Sequence, residues 1–246
     1  MEVIPVPGLP EIHEGSDIPN LILQAASRNG LALKNGDVIV VKQKVVSKSE
    51  GRLVRLKGVR PGRRAMTLAR AHGKDPRIME LILRESVRVV RIGHGVIITE
   101  TKQGFVCANS GVDQSNVRAG FATLLPIDPD KSARKIRGAL EEKTGMRLAV
   151  VITDTFGRPW RWGQTDVAIG SSGIDPLVSY KGKEDKFGYE LRVTEPSVVD
   201  EIAGAAELVT RKLARIPVAV VRGLDYSRSE RGVRSIIMEE EKDLFR

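Results

Sequence analysis

The chain has few of the residues that build disulfide frameworks or zinc clusters. Its 246 residues include one cysteine, Cys107, and three scattered histidines. A lone cysteine excludes an internal disulfide and fits a reducing cytoplasm, and the histidines form no paired motif for zinc. Any bound metal is therefore expected to have mainly oxygen ligands, which favours Mg²⁺ or Mn²⁺.

Long apolar runs are also missing. No stretch approaches the roughly 20 apolar residues of a membrane span, and the first residues, MEVIPVPGLPEI, lack the charged leader of a secretory signal. We therefore expect a cytoplasmic protein that does not act on membranes. The chain also lacks a Walker A sequence and a GxGxxG sequence, so a nucleotide would have to bind another kind of loop.

Positive charge is concentrated in one segment. Lys and Arg number 40 against 31 Asp and Glu, and segment 42–70 holds ten basic residues and one acid. Such a segment favours anionic partners, although it has no interleaved aromatic residues of the kind that bind nucleic acid. Lys42, Lys44 and Lys48 are all at even-numbered positions, so on a regular strand their side chains would lie on one face. That face would either bind phosphates or belong to a solvent-facing edge strand.

Residue periodicity and turn residues predict an α+β fold with mixed or antiparallel sheets, packed helices and one or two subdomains. The predicted helices are 16–30, two segments within 61–84 separated by HGKDP, 128–145 and 197–215. The predicted strands are 37–47, an antiparallel meander of 86–93, 95–103 and 104–110, then 147–154, 164–170 and 217–223, with a hairpin over 177–195. No linker or repeat divides the chain, so residues 1–246 are expected to form one catalytic module.

Two polar stretches follow strands of the buried type. The strand RLAVVITD ends at Asp154, which is followed by Thr155, and the loop NSGVDQSN carries Asp113 and Asn116. A carboxylate beside a hydroxyl suits a divalent cation, and Asn116 with backbone amides can bind phosphate oxygens. Turn capping and a solvated loop are the alternatives. If Asp113 and Asp154 converge, they can hold one metal that bridges nucleotide phosphates.

The stretch GRPWRWG contains both tryptophans of the chain. Arg158 and Arg161 can bind carboxylate or phosphate, while Trp160 and Trp162 can stack on a ring system or cover a site. The alternative is a loop held by packed tryptophans. Farther along, the helix DEIAGAAELV contains Glu201 and Glu207. We expect them to be exposed, and the alternative is that they supply a further ligand to the site.

Five segments together resemble the GTP-dependent coenzyme F-420:L-glutamate ligases (CofE type), which add glutamate to a deazaflavin cofactor precursor. The segments are PGLPEI, VVSKSEGR, ANSGVDQSN, VITDTFGRPWRWGQTDVAIGSSGIDPL and DEIAGAAELV, in that order. The likeness covers nearly the whole chain and matches the single-module archaeal form. It implies the same fold and an acyl-phosphate reaction that releases GDP and phosphate.

The resemblance also implies specific sites. A nucleotide site would be formed by Leu9, Pro10, Glu11, Ile12, Gln43, Lys48 and Asn116, although relatives often have serine where this chain has Gln43. The catalytic metal ligands would be Asp113 and Asp154, with Thr155 at a second metal.

The implied substrates are GTP, L-glutamate and the deazaflavin precursor, with Mg²⁺ or Mn²⁺ as cofactor and a monovalent cation as a further candidate. A homodimer is the expected assembly. On chemical grounds, Arg158, Trp160, Arg161 and Trp162 are candidates for holding glutamate and the deazaflavin. Two other functions stay open: a different ATP- or GTP-dependent carboxylate-amine ligase, and a basic nucleic-acid-binding protein.

Overall fold

The computed structural model describes residues 1–244. The described chain contains strands that belong to three separate sheets. In chain order, the strands are β1 (Glu2–Pro5), β2 (Val38–Lys42), β3 (Leu53–Arg55), β4 (Ser86–Gly93), β5 (Val96–Thr101), β6 (Val106–Ala108), β7 (Phe121–Thr123), β8 (Ala149–Gly157), β9 (Gln164–Ser172) and β10 (Val218–Arg222).

The helices begin and end largely where capping residues stand in the sequence. Asp17 and Asp128 each accept a hydrogen bond from a first-turn backbone amide, and a proline follows within the first turn in both cases. In chain order, the helices are α1 (Ile18–Arg28), α2 (Gln43–Ser49), α3 (Arg63–His72), α4 (Pro76–Glu85), α5 (Pro129–Thr144) and α6 (Val198–Thr210).

The largest sheet has the strand order β1-β10-β2-β8-β9. Strands β2 and β8 are parallel, whereas the other neighbouring pairs are antiparallel. The central strands are apolar on both faces, as the fully buried Val38–Val41 and Ala149–Ile152 show, because helices cover the sheet. Parallel pairing places the carboxyl ends of β2 and β8 at the same edge, where Lys42 lies opposite Thr153.

A second hydrophobic core lies apart from the large sheet. It includes Leu56, Met79, Ile82, Ile97 and Ala122, which belong to α4, to β5 and β7, and to a short 3-10 turn. The predicted meander is confirmed, since β4, β5 and β6 form an antiparallel sheet in that order. The α+β fold with mixed and antiparallel sheets is likewise confirmed.

The prediction of one strand over 37–47 is wrong beyond Lys42. Strand β2 has strand partners on both sides only up to Val41, and Lys42 pairs with β8 alone. The backbone then turns into α2, where Val45 and Val46 are buried. A chain that runs out of strand partners must satisfy its backbone groups internally, and a helix does so. The β-branched run had favoured a strand. Lys42, Lys44 and Lys48 therefore do not share a strand face.

Other parts of the chain also differ from the predictions. Strand β8 continues three residues past Asp154, because the antiparallel pairing with β9 extends to Gly157. Helix α6 ends at Thr210 instead of 215, since Arg211 adopts a positive φ of 44° that breaks the helix. Over 177–195 the chain does double back, with Glu184 bridged to Glu190, but it forms no regular strands.

None of the helices within residues 1–244 combines the length and the apolar character that crossing a membrane requires.

Candidate functional site

A cleft of about 630 Å³ opens at the edge where β2 and β8 end. Loop 9–12, helix α2, loop 113–116 and the segment after α6 complete its walls. The cleft is lined by all the residues predicted for the nucleotide and metal sites, which are Leu9, Pro10, Glu11, Ile12, Gln43, Lys48, Asp113, Asn116, Asp154 and Thr155. Residues from four distant parts of the sequence thus meet in one place.

Helix α2 supplies two lysines to this cleft. Lys44 and Lys48 are four residues apart, so they lie on one face of the helix. The Lys48 ammonium is 2.6 Å from a carboxylate oxygen of Glu11, and its hydrogen bond is the main reason that the pKa of Glu11 lies below its ordinary value. Lys48 is therefore tied to loop 9–12, on the opposite wall.

Asp113 is bound by the other lysine of α2. The Lys44 ammonium lies 2.6 Å from Asp113 Oδ2 and also contacts Ser115, whose backbone amide donates to Asp113 Oδ1 at 2.7 Å. Burial acts to raise the pKa of Asp113, but these hydrogen bonds outweigh it and hold the pKa below its ordinary value. Asp113 is thus an ionised group at neutral pH.

The loop before Asp113 has an unusual backbone. Asn109, Ser110 and Gly111 have consecutive positive φ values of 56°, 53° and 68°. A Cβ atom at position 111 would lie 2.5 Å from the Leu125 side chain, so both the backbone conformation and the close packing require glycine there. This turn redirects the chain so that Asp113 can bridge to Thr123 of β7.

Asp154 lies across the cleft in β8 and is half-buried. Burial raises its pKa to about 7; the backbone amide of Thr155 and the Lys44 charge oppose this rise, while the Asp113 and Asp166 charges add to it. Asp113 and Asp154 line the same cleft, where the charge of each carboxylate disfavours ionisation of the other. A divalent cation would relieve the repulsion between Asp113 and Asp154.

A second set of charged groups lies on the other side of β8. Lys42 forms ion pairs with both Asp166 of β9 and Glu207 of α6. Asp166 is buried, and its Oδ1 accepts a hydrogen bond from the Thr155 hydroxyl at 2.7 Å. The prediction that Glu207 is exposed is wrong in this respect, because its side chain lines the cleft and binds Lys42, whereas Glu201 is exposed as predicted.

Gln43 is a buried cleft residue with an unused hydrogen-bond donor. Its Oε1 accepts from the Ser47 hydroxyl at 2.7 Å, whereas its Nε2 has no partner in the described structure. Leaving a buried donor unpaired costs about 1–3 kcal/mol. An acceptor oxygen of a ligand in the cleft would remove that cost.

The donor set fits a cation that shares its ligands with a substrate. Among residues 1–244, no three His, Cys, Asp or Glu side chains form a group arranged to hold a metal ion by themselves. Asp113, Asp154 and Thr155 offer only oxygen ligands, and Mg²⁺ is commonly held by one or two carboxylates together with waters and substrate phosphates. The residues present therefore fit a divalent cation that binds with a phosphorylated substrate.

The four candidates from GRPWRWG lie elsewhere. Arg158, Trp160, Arg161 and Trp162 form the tip of the β8–β9 hairpin, and Trp160 and Trp162 are 85% and 100% exposed. None of the four lines the cleft of this chain. The structure therefore separates them from the residues predicted to bind the nucleotide and the metal.

Several residues of the cleft were not identified as site residues from the sequence. Thr153 belongs to the β8–β9 hairpin, and Arg211, Lys212 and Arg215 come from the segment after α6. Asp166 lies just behind this lining, where it accepts a hydrogen bond from Thr153. The sequence did contain one indication that Asp166 is important, because an aspartate within an apolar strand requires buried partners. The basic residues after α6 had been assigned to the helix itself.

The sequence is similar to that of known proteins of one family. A profile of the family described as F420-0:Gamma-glutamyl ligase matches residues 8–223. The coenzyme F420:L-glutamate ligase of Methanothermobacter thermautotrophicus is 43% identical over 249 residues, which is 100% of this chain and 99% of the relative. The ligase of the same name from Methanopyrus kandleri is 43% identical over 100% of this chain and 98% of its own. The ligase from Methanocaldococcus jannaschii is 43% identical over 87% of this chain and 86% of its own. The chain therefore belongs to the F420-0:gamma-glutamyl ligase family.

Proposed function

We propose that this chain is a GTP-dependent ligase that joins L-glutamate to the deazaflavin coenzyme F-420 precursor, F-420-0, and then adds a γ-linked glutamate. The observation that carries the proposal is the single cleft that contains every residue expected to bind the nucleotide and the metal. Family membership over residues 8–223 supports the ligase reaction and its glutamate substrate. The choice of GTP rests on the resemblance of the lining segments.

The first step would activate a carboxylate, because a carboxylate is a poor acylating agent at neutral pH. An oxygen of the precursor carboxylate attacks the γ-phosphorus of GTP, the bond to the β–γ bridging oxygen breaks, and GDP leaves. Lys44 and Lys48 lie on one face of α2 and can bind the phosphate oxygens, and the Gln43 amide can donate to a nucleotide oxygen. The protein's part in this step is positioning and charge neutralisation.

The second step would form the amide bond. The uncharged amine of glutamate attacks the carbonyl carbon of the acyl phosphate, phosphate leaves with the electrons of the C–O bond, and the nitrogen loses a proton to solvent. Arg211, Lys212 and Arg215 line the cleft and can bind the glutamate carboxylates or the departing phosphate. For a γ-linked addition, the γ-carboxylate of the first glutamate takes the place of the precursor carboxylate.

Asp113 and Asp154 would hold one divalent cation, and Thr155 would be a ligand of a second one. When bound, Mg²⁺ or Mn²⁺ supplies neutralisation of the phosphate charge that builds up during phosphoryl transfer. The low pKa of Asp113 keeps one ligand ionised, while the raised pKa of Asp154 makes its ionisation dependent on a nearby positive charge. A monovalent cation remains a further candidate.

The hairpin tip is proposed to act outside the cleft of its own chain. Arg158 and Arg161 are candidates for binding carboxylates, and Trp160 and Trp162 are candidates for stacking on the deazaflavin. We also propose a homodimer, because the tip and segment 177–195 both expose apolar side chains, which interfaces between subunits cover. These side chains are Trp160, Trp162, Phe187, Tyr189 and Val193.

The protein is proposed to act as a single module in the cytoplasm. Its only cysteine, Cys107, is free and buried, which suits a reducing compartment.

Mass spectrometry of the deazaflavin precursor incubated with the protein, GTP, Mg²⁺ and glutamate tests the proposed function. We expect product masses that exceed the precursor by one glutamate residue, and then by further residues, only when GTP is present. Equal product with ATP would make the chain a ligase of broader nucleotide specificity. No mass gain, together with tight and salt-dependent binding of RNA or DNA, would replace the proposal with nucleic-acid binding.

A further inference from the structure

Asp166 is a buried carboxylate that none of the proposed steps uses. It lies in β9 directly opposite Thr155 of β8, and its side chain is 1% exposed. Three donors converge on it: the Thr155 hydroxyl at 2.7 Å from Oδ1, the Thr153 hydroxyl at 3.2 Å from Oδ2, and the Lys42 ammonium, also at Oδ2. These donors satisfy the hydrogen-bonding needs of the buried carboxylate.

The direction of the hydrogen bond from Thr155 has a chemical consequence. A threonine hydroxyl has one proton and two lone pairs. Asp166 can only accept when ionised, so the Thr155 proton is directed at Asp166 and the hydroxyl offers lone pairs to the cleft that Thr155 lines. An oxygen prepared in this way is a ligand for a cation and is unsuited to donate to a phosphate.

Asp166 also controls the position of Lys42. The Lys42 ammonium contacts Asp166 on one side and Glu207 on the other, and Glu207 in turn accepts from the Thr210 hydroxyl at 3.3 Å. Asp166 therefore binds side chains of β8 and β2 directly and is connected to α6 through Lys42. Removing its charge would release both the Thr155 hydroxyl and the Lys42 ammonium.

We propose that Asp166 is a positioning residue that orients the Thr155 hydroxyl as a cation ligand and holds Lys42 away from that ligand. This inference rests on the proposed function, because it concerns how the same cleft prepares its cation site. Groups that orient the ligands of a metal typically change its affinity by about 10–100-fold when they are removed.

The test measures Mn²⁺ affinity by electron paramagnetic resonance with saturating GDP, so that no turnover is required. Asp166→Asn should weaken Mn²⁺ binding by about 10-fold or more. Asp200→Asn is the matched control, because Asp200 is also a carboxylate held by donors, the Ala168 amide and the Ser197 hydroxyl. Neither of these partners lines the cleft, whereas the partners of Asp166 do. The control should bind Mn²⁺ like the unchanged protein, even if both variants melt at lower temperature.

A double variant distinguishes positioning from general damage. Thr155→Val should reproduce the loss of Mn²⁺ affinity, and adding Asp166→Asn to it should cause little further loss, because both changes remove the same oriented hydroxyl. If Asp166→Asn alone binds Mn²⁺ as tightly as the unchanged protein, the inference is overturned.

If Asp166→Asn does not fold, Thr155→Val is compared with Thr155→Ser, which keeps a hydroxyl. Equal Mn²⁺ affinity in these two variants would also overturn the inference, whereas recovery with serine would support it. Failure of the unchanged protein to bind Mn²⁺ with GDP is a separate result. It would remove the metal from the proposed function itself.

Discussion

The base and the tip of the β8–β9 hairpin both contain candidate functional side chains, but these lie in opposite environments. At the base, Asp166 is buried, Asp154 and Thr155 are half-buried, and all three are hydrogen-bonded to neighbouring groups. At the tip, Arg158 and Trp162 are exposed, only a few residues farther along the chain. One continuous sequence motif therefore serves two regions, and closeness in sequence does not make its residues partners in one site.

The physical reason is the length of the paired strands. The last strand pair is Gly157 with Gln164, so residues 158–163 form a turn that projects beyond the sheet. The residues of the base instead face α2, α6 and loop 113–116, which close around them. Substitutions at the base and at the tip should therefore have different effects.

The largest expected effect is at the base. Asp154→Asn should lower the rate of GTP turnover by at least about 100-fold, because a neutral amide cannot replace a carboxylate in balancing phosphate and metal charge. Steady-state GDP release with circular dichroism as a folding control measures this. Activity close to that of the unchanged protein at saturating Mg²⁺ would exclude the metal role of Asp154.

The next largest expected effect is on the binding of the GTP phosphates by Lys48. Lys48→Met should raise the KM for GTP by about 10-fold or more, since a hydrogen bond to a charged group contributes about 1.5–3 kcal/mol. Lys57→Met is the matched control, because Lys57 belongs to the same basic segment but is exposed outside the cleft. Equal kinetics in the two variants would assign Lys48 to a surface role.

A smaller effect is expected at the tip. Trp162→Ala should raise the KM for the deazaflavin precursor by about 2–10-fold through lost ring stacking, while the KM for GTP stays unchanged. Kinetics with each substrate varied in turn measure this, and sedimentation velocity reports the oligomeric state in parallel. An unchanged precursor KM combined with dissociation of a dimer would assign the tip to subunit contact alone.

The smallest effect is on stability and concerns the pKa of Asp154. Its value of about 7 in the folded protein exceeds the ordinary value of 3.8, so the folded state favours the neutral carboxyl. The stability from this group is fully present below pH 4 and is lost as the pH rises through 7. Without metal, Asp154→Asn should therefore have a higher Tm than the unchanged protein, and the difference in Tm should be larger at pH 8 than at pH 5. A change of about 1 kcal/mol in the free energy of unfolding corresponds to roughly 2–4 °C. A difference in Tm that does not change with pH would contradict the raised pKa.

Much of the fold could be predicted because its signals are local. Asp128, Pro129 and Gly145 mark the ends of α5, and the apolar run before Asp154 marks a central strand. The boundary at Lys42 was missed because β-branched residues favour strands, while the helix beyond depends on the absence of further strand partners.

The candidate site was predictable in part for a similar reason. Asp113, Asp154 and Lys48 belong to short distinctive segments, so their residue types and spacing alone suggest phosphate and metal chemistry. Asp166 was missed as a site residue, and Glu207 was expected to be exposed rather than a ligand. Both form ion pairs with Lys42, which is more than 100 residues away from each of them in the sequence.

The sequence by itself determined the α+β character of the chain, the main helices and central strands, and the oxygen-rich chemistry of its polar loops. These follow from residue periodicity, capping and composition, which act over a few residues. Only the tertiary structure decided which charges meet. Parallel pairing of β2 with β8 places the ends of distant strands at one edge, and the hairpin length leaves the tryptophans outside, because both depend on long-range backbone pairing that no short segment encodes.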